Sequence, residues 1–285
     1  MSNTKLKIIA IISMVFDHVW RFFPNSPYIF HWIGRISAPI FLFSCVQGYI
    51  HTSNKKKFFI RVYLLNIIVE IINVLLKINY LRMNFIRTIL LVLVIVFIID
   101  KFKNNHKKAK SYLRIFLCWQ LVTSIIIFYL LSSDSIVSFI GNDIVFLIMS
   151  ITANITYLDG GIIFIAIGVC FYIFKDNKIK LSLSFIINTI LYIIIFNTAL
   201  IQKLDTLSIN ATLINAVLNS ISDMFLGINP MNIRLDLLWE NPQWMMIFSL
   251  PFILKYNNKK GNDLKYFFYL FYPIHIVILY TISTL

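Results

Sequence analysis

The side chains best able to do chemistry in this chain stand where lipid would make them expensive. Asp17 and His18 come late in a first apolar run, Arg35 follows Gly34 at the head of a second, and Glu70 lies within a third. Asp159 precedes Gly160-Gly161 at the start of another run, and His275 follows Tyr272-Pro273-Ile274 in the last. A charged side chain at mid-bilayer costs about 3 kcal/mol, so it normally faces protein or a cavity and marks function. A neutral imidazole at that depth can take a proton from an attacking amine or hydroxyl. Each residue also has a plainer role open to it. Asp17 is one turn from Arg21 and can pair with it, and Arg35 can snorkel toward the membrane surface. Asn66, Glu70 and Asn73 share a helix face and can form a hydrogen-bonded stripe between helices. His275 can be a satisfied core residue. Asp17 and His18, about 100° apart on a helix, cannot point the same way.

Helices must position these groups. The chain has 285 residues, of which 59% are hydrophobic and 13% charged. A soluble domain carries about 25% charged residues, so much of this surface faces lipid. A bilayer core takes about 20 apolar residues as helix. That ruler predicts spans near 6–23, 33–51, 58–76, 84–100, 111–131, 181–201 and 266–283, and further ones near 160–174 and 241–256. The run 136–157 is interrupted by Gly141-Asn142-Asp143, and 206–228 is amphipathic. The reading is a single all-α, polytopic transmembrane helix bundle over 1–285, with about 9–11 spans. Lys5 and Lys7 precede the first run as in a signal peptide, but no small-residue cleavage site follows, so this is read as a retained first span.

A net charge of +14 would suit nucleic acid, but 19 of the 26 Lys and Arg residues fall in five short clusters between apolar runs. These are Lys5/Lys7, Lys55–Lys57 with Arg61, Lys101–Arg114, Lys175–Lys180 and Lys255–Lys265. They follow the positive-inside pattern, place the N-terminus in the cytoplasm and call for no nucleic acid partner. Parity works if 160–174 crosses and 136–157 does not cross completely; 136–157 and 206–228 are each open to reading as spans, re-entrant segments or surface helices. Cys45, Cys118 and Cys170 lie in apolar runs without CxxC spacing and read as small core residues. No nucleotide-binding, metalloprotease or nucleophile-elbow motif occurs in a useful context, and no metal is expected.

Several of these segments together resemble the TraX family, the membrane acetylases of F-type pilin. Leu6-Lys7-Ile8-Ile9-Ala10 leading to Asp17-His18 is similar to the family's opening, as are Gly34-Arg35-Ile36-Ser37-Ala38-Pro39-Ile40-Phe41 and Asp159-Gly160-Gly161. The C-terminal part is the most specific: Tyr256-Asn257-Asn258-Lys259-Lys260-Gly261, then Phe271-Tyr272-Pro273-Ile274-His275. The resemblance implies a bacterial inner-membrane (cytoplasmic-membrane) enzyme. It would move acetyl from cytosolic acetyl-CoA to the N-terminal amine of pilin or another peptide, or to a glycan, at the outer side. On that footing His18 is the expected base, oriented by a carboxylate. Arg35 or His275 would polarise the thioester carbonyl, Asp17 would orient the site, and Glu70 and Asp159 would bind substrate. His275 is the other candidate, as a covalent acyl carrier. The rival readings are a transporter or flippase using the same polar cluster, whose expected internal inverted repeat is absent from the sequence, and a scaffold protein.

Overall fold

The computed structural model describes residues 1–78, 84–197, 224–225, 236–239 and 241–285. Among these, all regular structure is helical. Helices α1 (Asn3–Phe22), α2 (Ile29–Gly34), α3 (Ser37–His51), α4 (Lys55–Leu75) and α5 (Phe85–Asn104) form the first half. They are followed by α6 (His106–Ser132), α7 (Asp134–Ile151), α8 (Gly161–Ile173) and α9 (Lys178–Asn197). A 3₁₀ segment, Pro242–Ser249, continues into the short α10 (Leu250–Leu254), and α11 (Lys265–Ser283) follows. Five stretches are long and apolar enough to cross a membrane: Ile29–His51, Lys55–Leu75, His106–Ser132, Lys178–Ile195 and Lys265–Ser283. Helices α1 and α5 have the same 20-residue length but carry more charge. The chain is a multi-pass membrane protein. A helix occupies each of the nine runs expected to be spans, and 206–228 lies almost wholly outside the described residues.

The sequence starts these helices locally. Ser2, Asn54 and Asn105 accept hydrogen bonds from the amides of Lys5, Lys57 and Lys108, which caps α1, α4 and α6. All five basic clusters gather at one end of the bundle. Asn3 and Thr4 amides donate to the Lys259 and Lys260 carbonyls. Asp100, near the end of α5, accepts from Lys55 Nζ at 2.8 Å, Tyr172 at 2.8 Å and Tyr49 at 3.2 Å. Lys178 Nζ reaches the Leu254 carbonyl. We call this end the basic face.

The core centres on α3, α5 and α8, where Leu42, Leu91, Ile167 and Phe171 are fully buried. Gly168 makes that approach possible, since a Cβ there would lie 2.6 Å from Val92. Helix α7 breaks at Gly141, whose φ of 77° ends the helical geometry. It then runs only part of the way back between α4 and α6. Its last turn meets their middles: Asn66 Nδ2 donates to the Ser150 carbonyl and Trp119 Nε1 to the Thr152 carbonyl. The non-helical stretch after it is therefore held at depth. Asn154 and Thr156 are fully buried and bonded to each other, and Asn154 Nδ2 also donates to Thr123 and Ser124. Irregular backbone at that depth is tolerated only inside protein. The cysteines depart from expectation: Cys118 is exposed, and Cys45 and Cys170 are only half-buried. In lipid an outward helix face is as apolar as a core, so an apolar neighbourhood does not imply burial.

Candidate functional site

Away from the basic face, α1, α2 and α11 bring the polar residues together. His18, late in α1, and His275, in the middle of α11, are both buried. His18 Nδ1 lies 2.6 Å from His275 Nε2, and the rings are nearly parallel, at 6°, with centroids 4.8 Å apart. His275 Nδ1 is 2.9 Å from the Phe271 carbonyl oxygen. The partner that orients His18 is thus a second imidazole, whereas the expectation was a carboxylate.

Asp17 points elsewhere, as its helical offset from His18 requires. Its carboxylate receives Arg21 Nε at 2.9 Å, His31 Nδ1 at 3.0 Å and Arg35 Nη2. Arg35 also donates from Nη1 to Gln243 Oε1 at 2.7 Å and from Nε to the His31 carbonyl at 3.3 Å. Gly34 explains the Gly-Arg pair. A Cβ at this position would lie 2.3 Å from Asp17 Cβ, so only glycine lets α2 approach α1 closely enough for Arg35 to reach the carboxylate. Trp20 stacks on His31 at 3.8 Å and closes the cluster on one side.

Asp17, His18, Arg35 and Asp159 line one small chamber of about 70 Å³. His275 does not line it, and adjoins it through His18 and Tyr272. Asp159 belongs to the turn before α8, where Gly160 and Gly161 adopt positive φ and Thr88 Oγ1 holds the Asp159 carbonyl at 2.8 Å. Glu70 does not share this chamber. With Asn73 and Asn84 it lines a separate cavity of about 30 Å³ between α4, α5 and α7, and Asp159 borders both. Glu70 accepts from Asn84 Nδ2 at 2.6 Å and Ser150 Oγ at 2.9 Å. Asn66 and Glu70 therefore stitch α4 to α7 through Ser150, whereas Asn73 Oδ1 is buried with no hydrogen-bond partner among the described residues.

A much larger cavity, about 690 Å³, opens at the basic face. Its rim carries Lys7, Lys57, Arg61, Lys260 and Lys265. Met14, Phe41, Phe85 and Tyr272 line its inner wall, and the same four residues line the His18 chamber. Asn3 Oδ1 and Ser44 Oγ are buried in that wall with no hydrogen-bond partner among the described residues. On the exposed rim, Lys260 Nζ at 2.9 Å holds the Asp263 carboxyl below its usual range. The Thr4 hydroxyl pins the rim loop through the Lys260 and Asn262 carbonyls.

Sequence reasoning missed His31, Gln243 and the aromatic wall. His31 had a signal, since it stands four residues before Arg35 and so on its face. Gln243 had none, because it reaches the cluster only through the tertiary fold.

A protein-family model described as TraX protein matches residues 2–283, nearly the whole chain. No curated protein and no solved structure matches it.

Proposed function

The chain belongs to the TraX family, and from that premise we propose that it is a membrane acetyltransferase. It takes acetyl from acetyl-CoA at the basic face and delivers it to an acceptor entering from the opposite side. The acceptor is the N-terminal amine of pilin or another peptide, or a glycan. The basic face is cytoplasmic, and the membrane is the cytoplasmic membrane of a bacterium. One observation carries this reading: a cavity with a cationic mouth and an apolar interior shares four wall residues with the chamber that holds His18.

The donor fits that cavity in kind. Lysine and arginine at the rim suit the phosphates of CoA, which stay near water. The uncharged arm can lie among Met14, Phe41 and Phe58, where Asn3 Oδ1 and Ser44 Oγ await polar partners. The thioester then reaches the shared wall beside the chamber. His18 takes the acceptor's proton as its nitrogen or oxygen attacks the carbonyl carbon. Asp17 and its cations keep α1 and α2 in register around the chamber, and Asp159 faces the acceptor.

Labelled acetyl-CoA supplied to inverted membrane vesicles tests this. Label is expected in peptide or glycan of vesicles carrying the protein and not in those carrying His18→Ala. The drop should be about 10²–10⁴-fold, the range of a positioned acid–base group. Equal labelling with His18→Ala at equal membrane abundance would sink the assignment.

A further inference from the structure

The histidine pair is anchored at its far end on a group that can only accept. The Phe271 carbonyl oxygen lies 2.9 Å from His275 Nδ1, and a carbonyl has no proton to give. Nδ1 of His275 therefore bears the hydrogen. In the neutral ring this leaves Nε2 with a lone pair, which faces His18 Nδ1 at 2.6 Å. The hydrogen between the rings then belongs to His18. A neutral His18 has one nitrogen left with a lone pair, its Nε2. Among the described residues no hydrogen bond engages that atom. His18 lines the chamber, and His275 does not.

We propose that His18 and His275 form a hydrogen-bond relay of fixed direction, with His18 Nε2 as the base and His275 as a positioning residue that never touches substrate. The proposal rests on the acyl-transfer reading above and assigns the two roles within it. The acceptor amine attacks the thioester carbonyl carbon, forming the N–C bond while the C–S bond breaks. The amine proton passes to His18 Nε2, and the departing thiolate of CoA takes it, so the products are the acetamide and the free thiol. While His18 is an imidazolium, its Nδ1–H keeps donating to His275, whose own Nδ1–H stays on the Phe271 carbonyl. Its positive charge is thereby shared along a chain of dipoles. Both nitrogens of His275 are occupied throughout, which leaves none to carry acetyl. A base held by a carboxylate would gain more charge stabilisation. In a buried chamber already holding Arg21 and Arg35, a neutral partner fixes the tautomer without adding a further buried charge.

The direct test needs no donor or acceptor. The intact protein in lipid nanodiscs, labelled with ¹⁵N-histidine, is read by solid-state NMR near neutral pH. His18→Gln and His275→Gln assign the two rings among the five histidines. The expected result is two neutral rings, each protonated on Nδ1, with a correlation between His18 Nδ1 and His275 Nε2. A proton on His18 Nε2, or a doubly protonated His275, would overturn the relay. The second arm is transfer activity at equal membrane abundance. Gln at 275 can offer an oxygen to His18 Nδ1 and should keep activity to within about 10-fold. Leu cannot accept and should lose about 10²-fold or more, approaching the loss in His18→Gln. Equal losses in His275→Gln and His275→Leu, or full activity in both, would refute the positioning role. Absence of any transfer by the wild-type protein counts against the proposed function, while the NMR result still decides the relay's direction.

Discussion

At Asp17, one carboxylate collects Arg21 from its own helix and His31 and Arg35 from the next. A buried charge with one partner removed is costly, whatever the pair was worth intact. Asp17→Asn removes the carboxylate that bonds Arg21 and Arg35 directly and is expected to destabilise the protein by about 3–5 kcal/mol. Thermal unfolding in nanodiscs measures this, and an unchanged midpoint would mean that packing, not charge, holds α1 to α2. Gly34→Ala tests the same junction from the backbone side. Its Cβ would overlap Asp17, so separation of α2 from α1 is expected at about 1–3 kcal/mol, with transfer activity falling alongside. The Asp17–Arg21 half of this cluster was legible from spacing alone. The arrival of Arg35 and His31 was not, because a short loop and a six-residue helix decide it. His18 and His275 were each visible as costly residues in apolar runs. Their shared depth points to one polar cavity between the first, second and last spans, but the direct contact of the two rings could not be read, since nothing local ties α1 to α11.

Among the helices, α7 is the element whose behaviour follows least from composition. Its 18 residues are apolar enough for most of a crossing, yet the helix breaks at Gly141 and ends against the middles of α4 and α6. The Gly-Asn-Asp interruption in the sequence did foretell the break. The partner of the polar face on α4 could not be read, because a period of 3.6 gives the face and not the neighbour. Cysteine labelling separates the surfaces. A cysteine in place of Lys107 should react from the basic side alone, whereas Thr156→Cys should react from neither side of the native protein. Labelling of Thr156→Cys from the side opposite the basic face would show that the stretch after α7 lies open and not buried. For the same reason Asn154-Ile155-Thr156, although it matches a glycosylation pattern, is out of reach of any modifying enzyme in the folded protein.

Over the whole molecule, the first residues and the loop before α11 form one rim around the large cavity. Gly261 is the tight point: its φ is 79°, and a Cβ there would meet Ser2 Oγ at 2.5 Å and Thr4 Oγ1 at 2.9 Å. Gly261→Val is expected to push the loop off the first turn of α1 and displace Lys260. In the transfer assay the KM for acetyl-CoA should rise about 10-fold with kcat little changed, the signature of lost ground-state binding. A fall in kcat alone would show that the loop governs the chamber and not the mouth. Rim lysines acting through charge also imply weaker donor binding at high salt, since exposed charges are screened over about 8–10 Å. The meeting of α1 with α11 has a further bearing, on biosynthesis. His18 emerges from the ribosome 257 residues ahead of His275, so until α11 is made the proposed base lacks the ring proposed to orient it. A chain terminated before α11 would lack that ring and also the Phe268, Tyr269 and Tyr272 side of the large cavity, so on the proposed function donor binding and transfer would both be impaired. On that reading the chamber and the donor cavity are completed together, when α11 packs against α1.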